Sequence, residues 1–187
     1  MSGAVRARAN GVMVRLPLTA SVEEARSAIS DGGWVGITGE DGSVIGLAAH
    51  EHLELSARGA RLAEVASSLP PLVTVKADVA AATAVCSPAF RVLRPHHPVL
   101  VEDGDEPIGV WAGENLAEAI VSFGSSRGAG LADFALQGQV DISEIRAVCH
   151  YCEVGTVCLA QRAFPELPDD MPECANPKCL TVHTFEW

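Results

Sequence analysis

The chain repeats itself, and an internal duplication restricts the fold strongly, because both copies must close the same kind of core. Residues 13–30 (MVRLPLTASVEEARSAIS) and 33–53 (GWVGITGEDGSVIGLAAHEHL) find matches in residues 71–86 (PLVTVKADVAAATAVC) and 97–116 (HPVLVEDGDEPIGVWAGENL). Laid together, Val22 meets Val79, Ala25 meets Ala82, Gly46 meets Gly109 and Leu53 meets Leu116. The second copy is longer in its middle, around residues 90–97 (FRVLRPHH). Two copies of a unit of roughly 50 residues predict a duplicated domain.

Each copy decodes into the same elements. A short β-run (VMVRL, then LVTV) precedes a helix start. In the first copy Ser21 and Glu24 have capping-box spacing, a hydroxyl at the N-cap with a carboxylate three residues on. In the second, Asp78 is the expected N-cap. Two strands follow in each copy, joined by Asp41-Gly42 and by Asp103-Gly104, the dipeptide of tight hairpins. A helix then starts near His50 and near Gly113. The unit is strand, helix, strand, strand, helix, an α/β architecture. Trp34 and Trp111 fall on the hairpin strands and are expected in the core, with Trp111 also a candidate wall for a stacked base.

The cysteines are distributed quite differently. Five of the six fall after residue 148: Cys149, Cys152, Cys158, Cys174 and Cys179. The pairs Cys149/Cys152 and Cys174/Cys179 suit one tetrahedral metal held by four thiolates, each pair on a tight turn. Cys158 stands alone, and either it or His183 is an alternative ligand. Zinc is the expected metal, with iron as the alternative, since four thiolates accept both. This arrangement predicts a small β-rich module resembling a zinc ribbon over residues 141–187. Cys86 lies in an apolar stretch and is expected as a small core residue.

Charge narrows the partners. The 187 residues carry a formal net charge of −11, which opposes nucleic acid as a partner, because such binding rests on neutralising phosphates. Residues 141–187 hold eight acidic residues against three Lys/Arg, so a ribbon there suits a protein contact. Arginine far outnumbers lysine, as in proteins of GC-rich bacterial genomes. No run of residues is long and apolar enough for a membrane span, and no secretory leader pattern opens the sequence. A cytoplasmic protein is expected. The chain contains no P-loop, no dinucleotide fingerprint, no G-x-S-x-G and no H-E-x-x-H, so a non-enzymatic role is expected.

The tandem units, each with its Asp-Gly hairpin and a following VIGLA or PIGVW strand, resemble a CBS-domain pair, also called a Bateman module. The resemblance covers residues 11–123, with copies at about 11–57 and 70–123, and implies two clefts that take adenine nucleotides or related adenosyl ligands. In that family a G-h-h-[ST]-x-x-D pattern, with h apolar, contacts the ribose. Here Ala49 and Ala112 stand at the Ser/Thr positions, and His52 and Asn115 stand where the family has Asp. The resemblance thus makes His52 and Asn115 the candidate ligand contacts. Arg91, Arg94 and His97, in the only local cluster of cationic and titratable groups, are candidates for a ligand phosphate or carboxylate. Residues 1–10 are expected as a flexible N-terminus and the Gly/Ser-rich residues 124–140 as a linker. The apolar helix beginning at Leu116 is the expected homodimer surface. Two functions follow: a regulatory sensor, whose CBS pair binds a small ligand and is coupled to a ribbon that contacts a partner, or a dimerisation scaffold carrying structural zinc or a rubredoxin-like iron site.

Overall fold

A computed structural model describes residues 3–29, 32–87, 89–90, 93, 97–124, 143–148 and 161–164. It shows an α/β chain that divides into two compact units. The first, which includes residues 11–72, contains β1 (Met13–Pro17), α1 (Val22–Ala28), β2 (Trp34–Thr38), β3 (Val44–Ala49), α2 (His50–Glu54) and α3 (Leu62–Ala66). Its sheet runs β1-β2-β3, with β1 parallel and β3 antiparallel to β2. Ser21 starts α1 as expected, its Oγ accepting from the Glu24 amide at 3.1 Å. At the hairpin, Gly42 has a φ of 81°, a left-handed conformation that glycine adopts without strain. The core of this unit gathers Leu18, Val22, Val35, Ile37, Ile45, Leu53, Leu62 and Val65.

The second unit has β4 (Leu72–Lys76), α4 (Ala81–Val85), β5 (Val99–Asp103), β6 (Glu106–Trp111) and α5 (Gly113–Gly124). Its strands are arranged β6-β5-β4, again parallel then antiparallel about the middle strand. A further strand, β7 (Ser143–Val148), lies beside β4 and contributes the buried Ile145 to the core. Strand β8 (Gln161–Phe164) pairs with β7. Val73, Val75, Ala81, Ala84, Val99, Val101, Trp111 and Leu116 fill this core.

The duplication extends to irregular features. In the first hairpin the ladder pairs Ile37 with Gly46 and then Thr38 with Val44, so Ile45 is an extra residue, a β-bulge. In the second, Val101 pairs with Gly109 and Glu102 with Pro107, leaving Ile108 as the bulge. The glycine after each bulge is therefore matched by structure as well as by sequence. At Gly46 the reason is close packing: a Cβ there would sit 3.1 Å from Leu69 Cδ1.

The first half of each repeat aligns differently from the sequence expectation. Val14 and Val73 occupy equivalent ladder positions, and Val22 then matches Ala81 while Ala25 matches Ala84. Both alanines are wholly buried. The expected matches, Val79 and Ala82, are two residues early. An alanine-rich run offers many equally small side chains, and only the parallel pairing picks among them. Asp78 is likewise not the N-cap of α4. That place falls to Ala80, which has no side-chain oxygen to offer.

The N-terminal residues do not form the flexible tail expected of them. Val5–Arg8 form a short 3-10 helix with Val5 fully buried in the core of the second unit. The backbone bonds that hold it repeat those holding α3 in the first unit. The Leu62 amide donates to the Ala20 carbonyl at 3.0 Å and the Ala63 amide to the Leu18 carbonyl at 3.0 Å. In the second unit the Val5 amide donates to the Val79 carbonyl at 2.8 Å and the Arg6 amide to the Ala77 carbonyl at 2.8 Å. The bridges Ser21↔Arg61 and Ala80↔Ala4 match as well. The segment before the first repeat thus completes the second unit, and the segment before the second repeat completes the first.

Candidate functional site

In each unit the second hairpin strand ends and a helix begins at once, which brings the third helical residue to the strand's C-terminal edge. His52 holds that place in α2 and Asn115 in α5. The sequence alignment of these two positions agrees with the structure, since Leu53 and Leu116, one residue on, are both buried in their cores.

His52 is half-buried, and its Nδ1 accepts a hydrogen bond from the Ala49 amide at 3.0 Å. The Ala49 amide lies ahead of the first helical turn, where it has no partner within the helix. The imidazole supplies one, in the manner of the acidic arm of a capping box. Accepting at Nδ1 requires that nitrogen to be unprotonated, so in the neutral ring the proton is on Nε2. His52 therefore offers a donor, where a carboxylate would offer only acceptors. Ser56 Oγ donates to the His52 carbonyl at 3.0 Å and fastens the far end of the same short helix. His50, on the first turn, lies 3.5 Å from Glu54, with the His50 side chain half-buried and that of Glu54 exposed. Asn115 is exposed on α5, and His97 is half-buried just ahead of β5.

Trp111 does not line a cleft. It is fully buried, with its ring centroid 6.0 Å from that of Phe90 at an interplanar angle of 55°. Its indole N–H is buried without a hydrogen-bond partner among the described residues, a desolvation cost of about 1–3 kcal/mol. Trp34 is only half-buried. Cys86 is half-buried and packs against the second core.

Two carboxylates are held below their ordinary values, and both serve turns. The Glu23 carboxylate accepts from the Gly59 amide at 3.1 Å, which lowers its pKa from the ordinary 4.5, with Arg26 and Arg58 adding to the effect. Asp41 accepts from Ser43 Oγ at 2.6 Å and from the Ser43 amide at 3.0 Å across the first hairpin, and is lowered from 3.8. Both arrangements account for their ionised carboxylates without a ligand. Arg26 donates from a terminal guanidinium nitrogen to the Leu53 carbonyl, while its Nε is buried without a hydrogen-bond partner among the described residues.

Of the expected surface for self-association on α5, Leu116 and Ala119 are buried within their own unit, Ile120 is half-buried against its core, and Val121 is 69% exposed. The expected metal ligands Cys149, Cys152, Cys174 and Cys179, with their alternatives Cys158 and His183, lie outside the described residues. Arg91, Arg94 and most of the 124–140 segment do so too. Among the described residues no group of three or more His, Cys, Asp or Glu side chains is placed to hold a metal ion. No described helix is long and apolar enough to cross a membrane.

Sequence reasoning missed the N-terminal segment as part of a unit. The signal available was faint: Gly3-Ala4-Val5 and Ala60-Arg61-Leu62 share only a small residue at the first position and an aliphatic anchor at the third.

No family model matches the chain, and no curated protein matches it. Two solved structures are similar in part. The soluble part of a magnesium transporter matches 60% of this chain and 45% of its own length, at 14% identity and a TM-score of 0.40. The cytosolic domain of the Mg2+ channel MgtE, crystallised in complex with ATP, matches 59% of this chain and 45% of its own length, at 19% identity and a TM-score of 0.40.

Proposed function

We propose that the chain is a non-enzymatic regulatory protein of the cytoplasm. Its two α/β units act as a CBS-like pair that binds a small ligand, and its cysteine-rich end is a zinc ribbon that contacts a partner protein. The observation that carries this reading is the matched pair of strand-to-helix junctions at His52 and Asn115, each behind the same bulge and glycine. Duplicated junctions of one geometry give two comparable places for a ligand, as the family resemblance implies. The loss of the family's carboxylates sets the expected strength. Removing a charge-assisted hydrogen bond typically costs about 1.5–3 kcal/mol, roughly one to two decades of affinity. Calorimetry with AMP, ATP and S-adenosylmethionine tests the reading, and micromolar or weaker binding that Arg91→Ala and Arg94→Ala weaken further is the expected result. Sub-micromolar adenosyl binding that survives both changes would show that the arginines are not the anion contact. No binding of any adenosyl compound would favour the second reading.

That second reading is a dimerisation scaffold whose cysteines hold structural zinc or a rubredoxin-like iron. It is favoured by His52 itself, whose Nδ1 is committed to the Ala49 amide. Metal analysis and colour separate the two metals, because four-thiolate ferric iron is red and zinc is colourless.

A further inference from the structure

Both units contain the same slot and fill it with unequal security. In the first, the occupant is α3, which buries Leu62, Ala63, Val65 and Ala66. In the second, it is residues 3–8, where Val5 alone is buried and the 3-10 helix has no side-chain cap. The slot itself is built. The carbonyls of Val79 and Ala77 point to incoming amides, and the Ala81 amide donates to the Gly3 carbonyl at 3.1 Å. Arg6 pairs with Asp103 at the hairpin tip, with both side chains more than half exposed, so salt screens this contact.

We propose that residues 3–8 are a detachable latch and that the slot of the second unit is a docking site for the same segment of a second copy of the chain. A segment held by one buried anchor belongs to the low-stability end of a structure and opens before the cores do. The slot then exposes two carbonyls, one amide and the apolar place of Val5. Backbone bonds do not distinguish which chain supplies the strand. Selection comes from the aliphatic anchor and from the cation that follows it toward Asp103, and every copy of this chain carries both. Exchange of this segment joins two copies without any new interface. This inference stands independently of the ligand and metal readings above.

The test uses full-length chain carrying Val5→Asp, followed by residue-resolved hydrogen exchange. The Ala81 amide should exchange about tenfold faster or more, while Val22, Leu62 and Ala63 stay protected. A synthetic peptide of residues 1–10 should restore slow exchange at Ala81, and the same peptide with Val5→Asp should not. Reciprocal exchange between two wild-type chains fills both slots. Wild-type chain at rising concentration should therefore gain a dimer by light scattering, and Val5→Asp should abolish it. Unchanged exchange at Ala81 in the variant, or equal rescue by both peptides, would overturn the slot. Rescue by peptide without any dimer of the wild-type chain at high concentration would overturn the second copy as its occupant. Should Val5→Asp also unprotect residues 11–72, Val5→Ala, which trims the buried anchor without placing a charge in the core, decides by the same selective acceleration at Ala81.

Discussion

His52 shows how one side chain can serve local structure at a place where the resemblance expects a ligand contact. Its Nδ1 satisfies the Ala49 amide, so His52→Ala should cost about 1 kcal/mol in urea unfolding. His52→Asn, which keeps an acceptor of similar reach, should recover most of that loss. If Asn and Ala behave alike, the hydrogen bond contributes nothing and the ring's packing is what matters. The two depressed carboxylates make a second prediction with a definite sign. A carboxyl whose folded pKa lies below its unfolded value favours the folded chain when ionised. For Glu23 and Asp41 that support is complete above about pH 4.5 and fades as pH falls through their lowered folded values. Glu23→Gln should therefore flatten the acid limb of a plot of melting temperature against pH and leave the neutral region nearly unchanged. An unaltered acid limb would show that the Gly59 contact is not formed in solution.

Among the elements, α1 and α4 are a natural experiment in capping. They occupy equivalent places, yet α1 begins at Ser21, whose hydroxyl takes the Glu24 amide, and α4 begins at Ala80 with no such oxygen. Ala80→Ser should stabilise the chain by up to about 1 kcal/mol, and Ser21→Ala should destabilise it by a similar amount. Both residues sit on equivalent isolated bridges, so a serine is sterically acceptable at either. Urea titration of both variants checks the pair, and a destabilising Ala80→Ser would mean that the second slot cannot accept the hydroxyl. The occupants of the two slots should differ more. Leu62→Ala removes a fully buried side chain from α3 and should cost about 2–5 kcal/mol. Val5→Ala, by contrast, should act chiefly on local exchange at residues 3–8 and 77–81. Helix α5 buries Leu116 and Ala119 inside its unit, so self-association through the exposed Val121 should yield to Val121→Glu by light scattering. A dimer that survives this change uses another surface.

At the scale of the whole molecule, the net charge of −11 and the cysteine-rich end set the expectations for partners. Duplex DNA should not be retarded by the chain at ordinary salt, since too little positive charge is available to release counterions. One metal per chain is the expected result of metal analysis under reducing conditions. Cys152→Ser or Cys174→Ser should release it while the melting of residues 11–124 stays unchanged. Metal release by Cys158→Ser as well would revise the ligand set.

The sequence by itself determined the kind and order of the five repeated elements in each unit, but neither α3 nor the 3-10 helix of Val5–Arg8. Alternating apolar strands, Asp-Gly turns and a glycine ahead of each helix start are short-range signals, and each reflects a local conformational preference. Because Gly46 and Gly109 follow equivalent bulges, the hairpin halves could be aligned correctly from residues alone. The tertiary structure decided what depends on distant partners. The register of α4 against α1 is set by parallel pairing of β4 with β5, which the uniform run of small side chains from Ala80 to Ala84 does not encode. The place of residues 3–8 rests on bonds to Ala77, Val79 and Ala81, more than 70 positions along the chain. Contacts at that separation leave no periodic trace in a sequence. The fate of Trp111 was decided in the same way: an aromatic at a strand's end suits a cleft or a core equally, and the packing of Phe90 and its neighbours closed the choice in favour of the core.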